Sequence, residues 1–193
     1  MIIFKGIRKV YKIIVVYSTY HNVDKVIALP FDIYNSSNSF SFVINGESNN
    51  KIHEIDLASP YFTAGYYNPS SNLLFLGHSL YNFQETHAGI YVIRATDYFQ
   101  HNHHTFNGEY EIISEFNSID DKTIAVTKNR VFFYNNSTML SSHTYQDKSS
   151  YFYRTAVDET NNQVYVSGTS DASVHIFSLA DYSHINEIIT GSA

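Results

Sequence analysis

The 193-residue chain contains no cysteine and no tryptophan, and only three prolines and eight glycines. Without cysteine there is no disulfide, no thiolate nucleophile and no cysteine-based zinc site, which suits an intracellular, cytoplasmic protein. So little proline and glycine excludes a low-complexity linker. Charge is scarce as well: Asp, Glu, Lys and Arg together make up 16% of the chain, and the net charge of −6 leaves no basic footprint for nucleic acid. The basic cluster Lys5, Arg8, Lys9 and Lys12 reads as a solvated strand edge. A long apolar run is missing too. The stretch IIVV at residues 13–16 is flanked by Lys12 and Tyr17 and is too short for a signal core or a membrane span, so it is predicted to be a strand.

What the chain does have is aromatic and β-branched residues. It is 44% hydrophobic and carries 17 Tyr and 14 Phe, a composition that resists disorder and favours strands. At this length one domain with a sizeable core is expected. No segment sustains the 3.6-residue apolar period of a helix. Ten histidines make the charge sensitive to pH below about 6.5.

Four units can be set side by side, at residues 31–57, 66–95, 116–136 and 157–179. Each opens on a turn rich in Asn, Ser or Asp: Ser36-Ser37-Asn38, Ser70-Ser71-Asn72, Asp120-Asp121 and Asn161-Asn162. Such residues tolerate left-handed or Asx-turn geometry. An alternating strand follows each turn (Phe40/Phe42, Leu74/Leu76, Ile124/Val126, Val164/Val166), and then a second one (Ile52/Ile55, Ile90/Val92, Val131/Phe133, Val174/Ile176). Ahead of the turns lie candidate innermost strands at residues 26–29, 63–67, 112–116 and 153–157. Phe177 aligns with Tyr134, Ile93 and Ile55 at separations of 43, 41 and 38 residues. A period in the forties with several strands per unit is the signature of a propeller blade. A β-sandwich of short strands is the alternative.

The fourth unit resembles a WD-repeat blade. Its small-residue strand end is Ser167-Gly168-Thr169, the turn Asp is Asp171, and the closing aromatic-polar pair is Phe177-Ser178. The other units close on Ile55-Asp56, Ile93-Arg94 and Tyr134-Asn135. No unit carries the family's Gly-His pair near the blade start, so the Asp-His-Ser network of well-formed WD blades is not expected. The resemblance spans roughly residues 26–190 and implies an all-β, propeller-like array of about four antiparallel blades, at residues 26–60, 61–108, 109–148 and 149–193. Residues 1–25 form an N-terminal strand segment able to complete a blade. It further implies a non-enzymatic protein-interaction scaffold, a subunit of a multiprotein complex. Propellers of this kind usually have six to eight blades, so four form an incomplete ring. Each open blade face would exceed the ~300–600 Å² apolar patch that a soluble monomer carries. Covering about 600 Å² contributes on the order of 15 kcal/mol gross. A protein partner or a second copy is therefore expected to complete the array, without contact to nucleic acid or membrane.

Chemical motifs are few. There is no G-x-S-x-G elbow, H-E-x-x-H pair, P-loop or G-x-G-x-x-G, and Asp120-Asp121 and Asp158-Glu159 sit where turns are expected. The stretch His101-Asn102-His103-His104 holds metal-capable imidazoles, but neighbours in a strand face opposite ways. It reads as an exposed loop between blades, with no metal or cofactor expected. Tyr61, Tyr67, Tyr110, Tyr151, Tyr153 and Arg154 precede or lie in the inner strands, near a propeller's rim, and belong to the residue types that dominate interface hot spots. They are the candidate protein-binding residues. A carbohydrate- or small-ligand-binding all-β module using exposed Tyr and Asn is the alternative function.

Overall fold

The structure, a computed structural model, describes residues 10–16, 25–31, 40–45, 48, 50–57, 62–79, 87–107, 113–127, 130–144, 152–168 and 172–191. Within them lie sixteen strands in four antiparallel sheets of four. Sheet 1 is β1 (Val10–Val16), β2 (Lys25–Phe31), β3 (Phe40–Asn45) and β4 (Lys51–Asp56). Sheet 2 is β5 (Phe62–Asn68), β6 (Leu73–Ser79), β7 (His87–Arg94) and β8 (Gln100–Asn107). Sheet 3 is β9 (Glu115–Ile119), β10 (Lys122–Val126), β11 (Arg130–Asn135) and β12 (Thr138–Thr144). Sheet 4 is β13 (Phe152–Asp158), β14 (Gln163–Gly168), β15 (Ser173–Ser178) and β16 (His184–Ile189).

In every sheet the strands pair in chain order, each with the next. The expected turn chemistry appears at equivalent positions: Asn72, Asp120 and Asn162 adopt φ of 54°, 49° and 52° between the first and second strands of sheets 2, 3 and 4. These are side chains that bear the left-handed region at low cost. The Asp120-Asp121 pair is thus a turn.

Sheets stack through their faces, and the first strands lie side by side: β1 beside β5, β5 beside β9, β9 beside β13. Among the described residues nothing comparable joins β13 to β1. Three separate cores fill the three junctions. Ile27, Val43 and Ile55 of sheet 1 pack on Leu74, Leu76, Tyr91 and Ile93 of sheet 2. Phe75, Ile90 and Val92 on the opposite face of sheet 2 pack on Ala125, Phe132 and Tyr134 of sheet 3. Ile124, Val126, Val131 and Phe133 pack in turn on Val164, Val166 and Phe177 of sheet 4. Period-2 alternation is what lets one strand serve two junctions.

Sheet 1 departs from the sequence expectation by one strand. Residues 26–29, expected innermost, lie in β2, and β1 holds the inner place. The unit of residues 31–57 therefore supplies the third and fourth strands, whereas the units at 66–95, 116–136 and 157–179 hold the second and third. The cause is that β2 is apolar on consecutive residues, Val26 to Leu29, and so gives no alternation to mark its place.

Candidate interaction site

Each interior sheet has a leading face, turned to the next sheet, and a trailing face, turned to the previous one. Cross-strand pairs mark equivalent leading positions: Ile27 with Val43 in sheet 1, Phe75 with Val92 in sheet 2, Ile124 with Phe133 in sheet 3. All six are buried at junctions. The equivalent pair in sheet 4 is Tyr165 with Ile176, followed by Ser167 with Val174 and then Val174 with Ile188. Among the described residues no further sheet packs on this face. Tyr165 and Val174 are half-buried, Ile188 is 47% exposed, and although Ile176 is buried within its sheet, none of the four joins any of the three cores. A free apolar face of this composition is the feature of the molecule best suited to binding another protein.

The inner strands are tied by polar bonds. Tyr66 Oη and Ser118 Oγ share a 2.7 Å hydrogen bond between β5 and β9. Asn68 Nδ2, fully buried, donates to Thr123 Oγ1 at 3.1 Å. Glu115 on β9 accepts from the backbone N–H of Thr155 and from its hydroxyl at 3.2 Å, and it holds the Arg154 guanidinium at 3.3 Å. Arg154 is therefore exposed at the inner end of sheet 4 but already engaged by a carboxylate. Tyr67 is half-buried, packs against the junction of sheets 1 and 2, and donates its hydroxyl to Asn72 Oδ1 at 3.0 Å. Tyr153 is placed by its backbone alone, within β13. Tyr61, Tyr110 and Tyr151 lie outside the described residues.

The histidines of residues 101–104 form no loop; they belong to β8, the outer strand of sheet 2. His103 and His104 do face opposite ways. His103 stacks on Tyr91 at 3.9 Å between ring centres, and its Nε2 lies 2.9 Å from Nε2 of His78, where one ring must donate. His104 lies on the other face against Tyr134, with its Nε2 3.3 Å from the Ser137 carbonyl. Burial, and secondarily the charge of His103, lowers the His78 pKa to about 3, so this imidazole stays neutral. Burial, then His104, also lowers the pKa of His103. In sheet 4, Ser173 Oγ lies 3.0 Å from His175 Nε2, and His175 Nδ1 lies 3.4 Å from Nε2 of the exposed His184. The serine is buried; its contact with His175 lies within β15, and the contact of His175 with His184 links β15 to β16. Among the described residues no three His, Asp or Glu side chains are grouped to hold a metal.

No family model and no curated protein matches the chain. The structure resembles a solved one, described as "Structure of Dos1 propeller", with a TM-score of 0.68 at 16% identity. The match takes in 92% of this chain and 47% of that one. The four sheets are blades of a partial β-propeller. With 494 solved chains sharing the likeness, it marks an architecture and not an activity. The chain spans about half the length of the propeller it matches. Among the described residues no helix is long and apolar enough to cross a membrane.

Two features escaped the sequence reading. One is which residues form the leading face of blade 4: the sequence leads to an open face at each end of the array, but not to Tyr165 and Ile176 as its centre. The other is a repeated Asp-Tyr turn between third and fourth strands. Tyr98 in blade 2 and Tyr182 in blade 4 take φ of 58° and 61° and pack back onto the preceding blade, against His53 at 4.9 Å and Phe133 at 5.4 Å. Asp97 and Asp181 each accept the backbone N–H two residues on. The signal was available as Asp97-Tyr98 and Asp181-Tyr182, two blades apart.

Proposed function

We propose that the protein is a non-enzymatic, WD-like interaction scaffold, a cytoplasmic subunit of a multiprotein assembly, working through rigid blades whose open face another protein covers. The observation that carries this reading is the leading face of blade 4: Tyr165 and Ile176 occupy the positions that join blades in sheets 1 to 3, yet among the described residues neither belongs to a core between blades. A face of that design is a socket for a further sheet. Tyr61, Tyr67, Tyr110, Tyr151, Tyr153 and Arg154, in or just ahead of the inner strands, are assigned as further protein-binding residues at the rim of the propeller's central opening, with Arg154 paired to Glu115. The blade boundaries at residues 26–60, 61–108, 109–148 and 149–193, with 1–25 adding the inner strand of the first, form part of this reading.

Native affinity purification of the full chain followed by mass spectrometry tests it. A stoichiometric protein companion, lost on Tyr165→Arg and weakened by Arg154→Ala, is the expected result. A chain that binds no protein, itself included, and instead shows saturable binding on a glycan array would overturn it.

A further inference from the structure

We propose that His78 and His103 form a two-coordinate site for a soft monovalent metal ion, cuprous copper, held between their Nε2 atoms in place of the proton the two rings share. The site lies on the trailing face of blade 2 and is separate from the open face of blade 4.

Four observations build it. First, the two nitrogens aim at one another, His78 Nε2 lying 2.9 Å from His103 Nε2. Second, the strands are shaped to bring them together. β7 runs between β6 and β8, so His78 on β6 reaches His103 on β8 only by lying over β7. It does so above Gly89, its partner in the ladder, where a Cβ would stand 2.5 Å from His78 Nε2. A side chain there would block the contact. Third, the surroundings are dry. His78 is 1% exposed, Tyr91 lies against the two imidazoles at 4.8 and 3.9 Å between ring centres, and the fully buried Phe62 pairs with His78. Burial lowers the pKa of both histidines, so protons do not compete for their nitrogens at neutral pH. Fourth, His78 Nδ1 has no hydrogen-bond partner among the described residues. Nothing fixes which nitrogen of that ring bears hydrogen, so the ring can carry it on Nδ1 and offer Nε2 as a lone pair.

Ligand number and charge choose the ion. Zinc takes four ligands, and among the described residues no third His, Asp or Glu joins this pair. A divalent ion held by two neutral imidazoles would also leave a double charge in an apolar junction, at a steep desolvation cost. A closed-shell monovalent ion accepts two ligands in line and leaves a single charge, and copper suits imidazole. On binding, the shared proton shifts to Nδ1 of the ring that donated it. Both rings stay neutral, and no proton or electron is lost. With metal–imidazole bonds of about 2 Å the nitrogens stand about 4 Å apart, so the pair opens by about 1 Å. His103, half-buried on the outer strand, is the ring that draws back and gives the ion its way in.

Anaerobic titration of the full chain with cuprous ion, against a chromogenic cuprous chelator as competitor, tests the site. One equivalent per chain should be withdrawn from the chelator, and X-ray absorption of the loaded protein should show two nitrogen neighbours in line. His78→Gln and His103→Gln should each abolish that withdrawal while keeping the far-ultraviolet circular dichroism of the wild type. His103→Gln, at the less buried position, decides the matter where His78→Gln fails to fold. His101→Gln, at an exposed position on the same strand, should leave binding unchanged. A chain that withdraws no copper would overturn the proposal, and so would an equivalent that survives both substitutions. Zinc held as tightly as cuprous ion, or three or more nitrogen neighbours, would mean a site of another kind and overturn it too. Uptake that falls equally with His101→Gln would show surface imidazoles at work and not this pair.

Discussion

Where blade 2 has Phe75 and Val92 at the centre of its leading face, blade 4 has Tyr165 and Ile176; where blade 2 has Leu73 and Gly77 to either side, blade 4 has Gln163 and Ser167. The two blades share strand order, a left-handed Asn before the second strand and an Asp-Tyr turn before the fourth. They differ in what lies in front of them. Blade 2 is pressed against blade 3 so closely that a Cβ on Gly77 would stand 2.6 Å from Cβ of Ile113. Blade 4 has a hydroxyl-bearing residue at each of those positions except Ile176 and Gln163. The substitutions run toward an amphipathic surface, apolar at its centre and polar around it, which is how a reversible interface is made and not how a permanent core is.

The comparison is broken most directly at its centre. Phe75→Ala removes a fully buried ring that meets Tyr134 at 5.5 Å and should cost about 3–5 kcal/mol in urea unfolding. Tyr165→Ala at the equivalent place, where the side chain is half-buried and joins none of the described cores, should cost no more than about 1 kcal/mol. Equal losses would mean the leading face of blade 4 is as closely packed as that of blade 2. Next in size is Gly77→Val, expected to destabilise by about 1–3 kcal/mol because Ile113 approaches with its Cβ and not with a flexible tip. Ser167→Val keeps a side chain suited to a strand but loses the hydroxyl that accepts the Arg154 backbone N–H at 3.2 Å, and should cost about 0.5–1 kcal/mol.

Acid should distinguish the same two blades. His78 in blade 2 is buried and its pKa lowered to about 3, whereas His184 in blade 4 is exposed and its pKa lowered less severely, by partial burial and then by His175. Above pH 6.5 neither histidine affects stability, because both folded and unfolded states are neutral. As pH falls below 6.5 the unfolded chain takes up a proton that folded His78 refuses, so stability drops by up to about 1.4 kcal/mol per pH unit and levels off only near pH 3. His78→Gln should flatten that slope between pH 6.5 and 3, with His103 next to it, its pKa lowered by burial and then by His104, contributing in the same direction. His184→Gln should flatten it far less. An unchanged slope for His78→Gln would show that the ring finds room to protonate.

How much of this was legible in the sequence depends on whether a strand has a packed neighbour. The turns at Asn72, Asp120 and Asn162 and the strands after them were legible because a residue tolerant of left-handed backbone stands just ahead of β6, β10 and β14. The outer strands β8, β12 and β16 were not: QHNHHTFN, TMLSSHT and HINEII have no consistent apolar face, since an outer strand meets solvent on most sides. For that reason residues 101–104 read as a loop. Blade 1 was read one strand out of place because Val26, Ile27, Ala28 and Leu29 are apolar in succession, as a strand sandwiched on both faces would be. An open face at the end of the array was legible from the number of units, but its residues were not, because Tyr165 alternates with Val164 and Val166 as any strand residue does.

The smallest effect tests the interior side of the comparison. Tyr134 in blade 3 occupies the trailing position held by Phe177 in blade 4 and Ile93 in blade 2, each paired across to the second strand. Only Tyr134 carries a hydroxyl, which is fully buried with no hydrogen-bond partner among the described residues, and burial pushes the phenol pKa well above its usual range. An orphaned polar atom costs more than the missing contact of an apolar one. Tyr134→Phe should therefore leave the edge-on contacts with Phe75 and His104 in place and raise stability by about 1 kcal/mol, read as a higher urea midpoint with an unchanged slope. A loss of stability would show that the hydroxyl is bonded after all, through water or through a residue outside those described. In that case Tyr134, not Asn68, would be the polar key of the junction between blades 2 and 3.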